Sequence, residues 1–276
     1  MTWLFGTFAT LLLYIIWGIT TIFLLYIGAW LLFASRRRPK KDRSWKDYQV
    51  RETQMELSGA QDSVSMKDVH NWKYTIGHEP QEAYSDMNFT FRDIQKMYFI
   101  IVPFKWRPLA HTFLMFTLKD GRSIGLSIEA RRHNEHTRGF WWSRGLFRHH
   151  ELYYRWGTEG DLIGRRTIYM NLALYKIPLK ISREFIERLF LVLVLETKKL
   201  QEKPRFYNTI MTNCFTEIAR MMFKVDKKVL PRLALGHFFP GMSDKMLLKM
   251  GLIDTDNSDI ETTRRSFRID PVSKQK

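Results

Sequence analysis

The sequence predicts an α+β domain, an antiparallel sheet covered by helices, held behind one N-terminal transmembrane helix. Three observations predict it. The first 35 residues carry no charged side chain, an Asp-Gly turn joins two strand-like runs near the middle of the chain, and two apolar helices with polar caps follow in the last hundred residues. With 276 residues, 45% hydrophobic and 26% charged, a disordered or fibrous chain is excluded and a sizeable core is expected.

Residues 1–35 are dense in Leu, Ile, Phe, Trp and Tyr, broken only by single Gly and Thr residues that a lipid-embedded helix tolerates. As one helix they would extend about 52 Å, against a hydrocarbon core of about 30 Å, whereas two half-length helices would be too short to cross. One span is expected, over residues 11–33, with residues 1–10 at the interface. The uncharged start Met1-Thr2-Trp3-Leu4 and the Leu at the −3 position of Leu32-Phe33-Ala34 do not fit a cleaved signal peptide, so the segment is expected to stay as an anchor.

The flank Arg36-Arg37-Arg38-Pro39-Lys40-Lys41-Asp42-Arg43 has six basic residues and one acid, which by charge bias alone places the following domain in the cytoplasm. The whole net charge of +16 lies after residue 35. Anionic lipid head groups are its expected partner, because the tether brings them nearest and no nucleic-acid-binding motif accompanies the charge. The oligomeric state is not legible. Cys214 is the one cysteine, so an intramolecular disulfide and a CxxC zinc site are excluded, while a single nucleophilic thiol is not. His133, His136, His149 and His150 lie in or beside an Arg-rich stretch with no metal-ligand spacing, and neither a metal nor another cofactor is expected.

The chain divides into an anchor (residues 1–35), a basic flank and linker (36–67) and a domain (68–276). Residues 44–84 are a polar lead-in with a strand expected at 69–76. Residues 97–104 form an aromatic and branched run ending near Pro, as a buried strand does. Residues 111–118 and 122–129 are expected to form a hairpin through Lys119-Asp120-Gly121. A tight turn makes paired positions sum to 240 or 241, which sets His111 opposite Glu129 or Ala130. Residues 131–147 read as a long loop, with Phe140-Trp141-Trp142 facing lipid or the core. Residues 151–156 and 162–170 read as two strands and 172–177 as a further one. Ser182 is placed to cap a helix with Phe185, Leu189, Val192, Leu193 and Leu200 on one face, and Asn213 to cap a second whose first turn holds Cys214. Residues 236–253 read as packing against the domain.

A thiol at a helix N-terminus meets unpaired backbone N–H groups, which favour the thiolate that attacks carbonyl carbon. It needs a base, and the base needs an orienting group: His111 supplies the first and Glu129 the second. Plainer roles are open to each. His111 fits a strand histidine bonded to backbone, Glu129 a partner of Arg131 or Arg132, and Cys214 a small core residue.

The segments Ala110-His111-Thr112-Phe113-Leu114-Met115-Phe116, Leu126-Ser127-Ile128-Glu129-Ala130-Arg131-Arg132, Gly145-Leu146-Phe147-Arg148-His149-His150-Glu151-Leu152 and Phe206-Tyr207-Asn208-Thr209 with Thr212-Asn213-Cys214 together resemble, in this order, the Lnb N-terminal periplasmic domain family. The resemblance covers residues 68–222 and leaves 223–276 unassigned. It implies a permuted papain-like, NlpC-type thiol fold in which Cys214 is the nucleophile and His111 the general base. Glu129 is the third member it suggests, with Glu151 as the alternative orienting group or as a brace for the Arg131–Arg132 loop, and Asn213 in support. The activity implied is lipoprotein N-acyl transfer through a thioester, on membrane lipid or lipoprotein substrates. A cell-envelope cysteine peptidase or amidase, and a catalytically silent envelope-binding domain, stay open beside it. The family implies an extracytoplasmic domain, against the charge bias of the flank.

Overall fold

A computed structural model of the chain describes residues 2–105, 108–134, 142–228 and 239–274. The Phe140-Trp141 loop, His136 and the start of the 236–253 stretch lie outside them. Helix α1 (Thr2–Ala29) continues into a π-helical turn, Trp30–Ala34. Residues Thr10–Ala34 are long and apolar enough to cross a membrane, and their most apolar stretch is not buried against the domain. Two of its hydroxyls are satisfied within the helix, Thr20 Oγ1 donating to Ile16 O at 2.8 Å and Thr21 Oγ1 to Trp17 O at 2.9 Å.

The end of α1 docks on the domain. Tyr26 packs edge-on against Phe147 at 5.6 Å, Arg148 stacks over Trp30 and donates to Ser35 O, and Arg37 donates to Phe147 O. Further along the flank, Glu151 accepts from the Lys40 N–H and forms an ion pair with Arg43, both at 3.1 Å, with His133 at 3.5 Å. The basic flank is thus tied to a carboxylate that is 2% exposed.

The domain is built on one sheet of nine strands among the described residues: β1 (Gln54–Leu57), β2 (Ser63–His70), β3 (Tyr84–Thr90), β4 (Ile94–Pro103), β5 (Ala110–Leu118), β6 (Ser123–Arg131), β7 (Glu151–Thr158), β8 (Leu174–Pro178) and β9 (Arg268–Ile269). The order is β1-β2-β7-β6-β5-β4-β8-β9, with β3 on β2, and each pairing is antiparallel except β2 with β7. The fold is mixed α+β, as expected. The hairpin β5–β6 forms about Gly121, whose φ of +84° suits glycine, and its register pairs Thr117 with Ser123 and Phe113 with Ser127.

Alternation along the strands sends side chains to two cores. On one face Phe116, Leu126 and Trp156 meet helix α4 (Arg183–Glu202) and helix α5 (Cys214–Val225). Phe190 of α4 sits at the centre of this core, its ring within 5.1–5.4 Å of Phe89, Phe91, Phe116 and Trp156. Trp156 Nε1 donates to Thr197 Oγ1 at 3.0 Å, which satisfies its buried N–H. Both helices begin where expected: Ser182 accepts from Phe185 N, and Asn213 from Phe215 N and Thr216 N.

On the other face Phe113, Met115, Ile100 and Val102 pack with Leu162, Ile163 and Leu174. Residues 162–170, expected as a strand, are instead helix α3 (Glu159–Gly164) and a π-helical turn, Arg165–Tyr169. Two things decide this. Thr158 Oγ1 caps the helix by accepting from Asp161 N at 3.3 Å, and Gly125 pairs with Gly157 across β6 and β7, leaving a trench into which Leu162 fits. A Cβ on either glycine would come within 2.7 Å of α3 side chains, Leu162 Cδ1 at Gly125 and Asp161 Oδ2 at Gly157.

Other expectations shift. The strand expected at 69–76 is β2, which ends at His70, so the stretch 36–67 taken as flank and linker supplies β1 and most of β2. The C-terminal stretch is integral: Leu247 and Ile253 are core residues and β9 pairs with β8. The loop expected over 131–147 contains a short helix, α2 (Trp142–Leu146).

Replacing Phe190 by Ala removes the ring on which four others converge and is expected to cost about 3–5 kcal/mol. The exposed change Lys227→Ala is expected to stay within about 0.5 kcal/mol. Thermal unfolding of the two variants in detergent checks both.

Candidate functional site

The hairpin opens at one end. The β5–β6 ladder stops at Phe113 and Ser127, yet β5 continues to Ala110, paired with Pro103 of β4, and β6 continues to Arg131, paired with Glu151 of β7. The strands part beyond Ser127. Ala110, His111, Ile128, Glu129 and Ala130 from the two parted ends line a cavity of about 400 Å³ that Cys214 and Tyr207 also line. Residues from both faces of the sheet reach it.

Cys214 enters from the α5 face. It is the first residue of α5, and its sulfur lies 3.9 Å from Ala110 O. The helix start was expected to lower its pKa. Burial instead pushes the thiol up, with hydrogen bonding from Thr112 and the Phe215 amide offsetting only part of the effect. The Asn213 cap takes the amides of Phe215 and Thr216, not that of Cys214.

His111 enters from the α3 face. Continuing the hairpin register sets it level with Glu129, and the two are joined through Ser127. Ser127 Oγ donates to Glu129 Oε1 at 2.8 Å and lies 2.8 Å from His111 Nε2. With the single hydroxyl proton committed to the carboxylate, Nε2–H is the donor to Ser127 and Nδ1 is left as the basic nitrogen. Burial, reinforced by the Arg166 charge, lowers the His111 pKa to about 3, so the ring is neutral at ordinary pH.

Burial opposes the charge of Glu129, but Arg155 and Arg166 outweigh it and hold the carboxyl well below the usual carboxylate range. Arg166 Nη2 donates to Glu129 Oε1 at 3.1 Å and Gln49 Nε2 to Glu129 Oε2 at 3.0 Å. Arg155, with no exposed surface, donates to both oxygens of Asp161 at 2.8–2.9 Å.

The structure therefore unites His111 with Glu129 and brings Cys214 to the same cavity, with thiol and imidazole on opposite sides of the parted strands and no hydrogen bond between them. Glu151 does not orient His111. Its carboxylate is occupied by Arg43, Lys40 N and His133, because β7 carries it to the basic flank, two strands from β5. Ser127 was missed, although it shares a strand face with Glu129. Tyr48 and Gln49, from a stretch read as linker, and Arg165 and Arg166, from a stretch read as strand, were also missed. No local signal marks these four, since only packing brings them to the cavity.

An α+β domain that presents a thiol and an oriented imidazole to one cavity, behind an apolar helix, defines the class. The profile of the Lnb N-terminal periplasmic domain matches residues 80–239, and the chain belongs to that family. The match begins at residue 80 rather than 68 and runs past residue 222, so part of the stretch left unassigned lies within the family's domain. Comparison with curated proteins and with solved structures returns no match.

His70 shares the neutral state of His111: burial, then the Arg155 charge, lowers its pKa to about 3. In the unfolded chain both rings bind a proton below about pH 6.5. Stability is therefore complete above that pH and falls as the pH drops from 6.5 toward 3, by about 1.4 kcal/mol per pH unit for each ring. Between pH 6.5 and 4.5, where most carboxylates stay ionised, His111→Gln is expected to flatten this slope. Denaturant unfolding at several pH values in the window measures it.

Proposed function

We propose that the chain is a membrane-anchored thiol acyltransferase of the cell envelope, with Cys214 as nucleophile and His111 as general base. The observation that carries the reading is the convergence of the one thiol and an imidazole with an assigned basic nitrogen on a single cavity whose other walls include Val102, Phe104, Met170 and Leu172. Such walls accept an acyl chain more readily than a polar cell-wall peptide.

A thiol whose pKa is raised rests protonated, so attack needs a base at the moment of reaction rather than a standing thiolate. Substrate binding in the gap between the parted strands turns the His111 ring so that Nδ1 reaches the Cys214 thiol. Nδ1 takes the thiol proton as the sulfur bonds to the ester carbonyl carbon. The Cys214 N–H, free of the Asn213 cap, faces the developing oxyanion, and Glu129, through Ser127, steadies the imidazolium. The leaving alcohol takes the proton back from His111 and a thioester remains. The amine of a lipoprotein then attacks the thioester, gives up a proton through His111 and restores the thiol. The chain order, a strand histidine before a helix-start cysteine, agrees with a permuted papain-like enzyme.

The N-terminal helix is compatible with a single-pass membrane protein. The family's periplasmic domain supports an extracytoplasmic site, and the basic flank, held by Glu151, then serves as a strut to the domain as well as a lipid contact.

A diacylglyceryl lipopeptide in mixed micelles with phosphatidylglycerol is expected to become N-acylated by the purified chain, with a hydroxylamine-labile acyl group on Cys214. Mass spectrometry reads both. Cys214→Ala is expected to abolish both signals and His111→Ala to slow turnover by about 10²–10⁴-fold. Free fatty acid in place of N-acyl product would reassign the enzyme to hydrolysis, and absence of acyl-Cys214 would leave a silent binding domain.

A further inference from the structure

The same cavity carries more positive charge than its acids neutralise. Three arginines line it: Arg132, Arg165 and Arg166. Arg166 is paired with Glu129, and the nearby Arg155 with Asp161. Arg132 and Arg165 form no ion pair with a carboxylate among the described residues, and both are partly exposed. Tyr48 holds them together. The Arg165 guanidinium lies 3.8 Å from the centre of its ring, and Arg132 Nη2 donates to its hydroxyl. Two guanidinium groups held against one ring with no carboxylate between them repel each other unless an anion joins them.

Beside this pair the cavity has apolar walls. Phe104 and Met170 are 45% and 46% exposed, forming an apolar mouth, and Val102 and Leu172 lie with them around the cavity. A charged rim next to an apolar wall fits an amphiphile whose anionic group sits close to its acyl chain. Guanidinium forks suit the tetrahedral oxygens of a phosphate, which can take two at once. The site also lies near the membrane exit, since Arg148 stacks on both Trp30 and Phe206 at 4.8 and 5.8 Å, and Tyr207 is a cavity wall.

We propose that the acyl donor is an anionic glycerophospholipid of the surrounding bilayer, its phosphate held by Arg132 and Arg165 and its acyl chain lying along Val102, Phe104, Met170 and Leu172 toward Cys214. This rests on the thiol acyltransferase reading and names its substrate. The bond broken is the glycerol ester and the bond formed is the Cys214 thioester. The thiol proton passes through His111 to the glycerol oxygen, and lysophospholipid leaves.

The test uses the full chain in micelles of an uncharged detergent, with dihexanoyl-phosphatidylglycerol, dihexanoyl-phosphatidylcholine, dihexanoylglycerol and inorganic phosphate as separate probes, binding being read by calorimetry and by thermal shift. Phosphatidylglycerol is expected to bind at least tenfold more tightly than the other three. The double variant Arg132→Gln/Arg165→Gln is expected to lose at least tenfold of that affinity, and Arg132→Lys/Arg165→Lys, which keeps both charges but not the forks, to fall between. Equal binding of the lipids, or undiminished binding by a folded Gln or Lys double variant, overturns the proposal. Inorganic phosphate binding as tightly as the lipid also overturns it and leaves a plain anion site. The two readings fail separately. Acyl-Cys214 formed equally well from dihexanoylglycerol sinks the phospholipid donor and spares the thiol mechanism, whereas tight phosphatidylglycerol binding with no acyl-Cys214 from any probe overturns the thiol mechanism and the donor role together and leaves a phospholipid-binding site.

Discussion

Glu129 is a carboxylate withdrawn from most of the solvent, and the architecture around the cavity follows from keeping it charged. A buried anion is tolerated only when cations and donors surround it. Arg166 comes from the turn after α3, Ser127 from the same strand, and Gln49 from the segment that follows the apolar helix and its basic flank. Each of these also acts on something else. Ser127 fixes the proton on His111, Gln49 accepts from the Arg132 amide at 2.7 Å, and Arg166 discourages protonation of the imidazole. One charge thereby ties the base, the cationic rim and the chain that follows the basic flank into a single arrangement.

The parting of β5 from β6 is the second half of that arrangement. Continued pairing would leave the Cys214 face and the His111 face on opposite sides of closed backbone. Because the ladder ends at Phe113 and Ser127 while the outer partners β4 and β7 still hold the separated strands, a cavity forms inside the sheet without exposing either core. The paired glycines Gly125 and Gly157 do related work two residues further along β6, letting α3 sit close enough for the following turn to deliver Arg165 and Arg166.

Helix capping, hairpin register and the apolar anchor were legible because each is a short-range effect. Ser182 and Asn213 bond amides two or three residues away, and an Asp-Gly turn sets pairing for the strands it joins. The thiol and imidazole were legible as candidates for the same reason, one placed by a cap and one by a register. Residues 162–170 were read as a strand although the Thr158 cap and an acidic first turn, Glu159 and Asp161, start a helix just before them. Glu151 was misassigned because its partners, Lys40 and Arg43, are more than a hundred residues away in sequence.

By itself the sequence determined the apolar helix, the α+β class, the hairpin that sets His111 opposite Glu129 or Ala130 and the capped helix that begins at Cys214, since all of these depend on neighbours along the chain or on simple periodicity. Tertiary structure alone decided that Ser127 links imidazole to carboxylate, that Glu151 belongs to the basic flank, that the thiol is buried and protonated rather than activated by its helix, and that two arginines without acids share a tyrosine at the cavity. Those outcomes depend on desolvation and on charges converging from distant segments, and neither quantity exists until the sheet has formed.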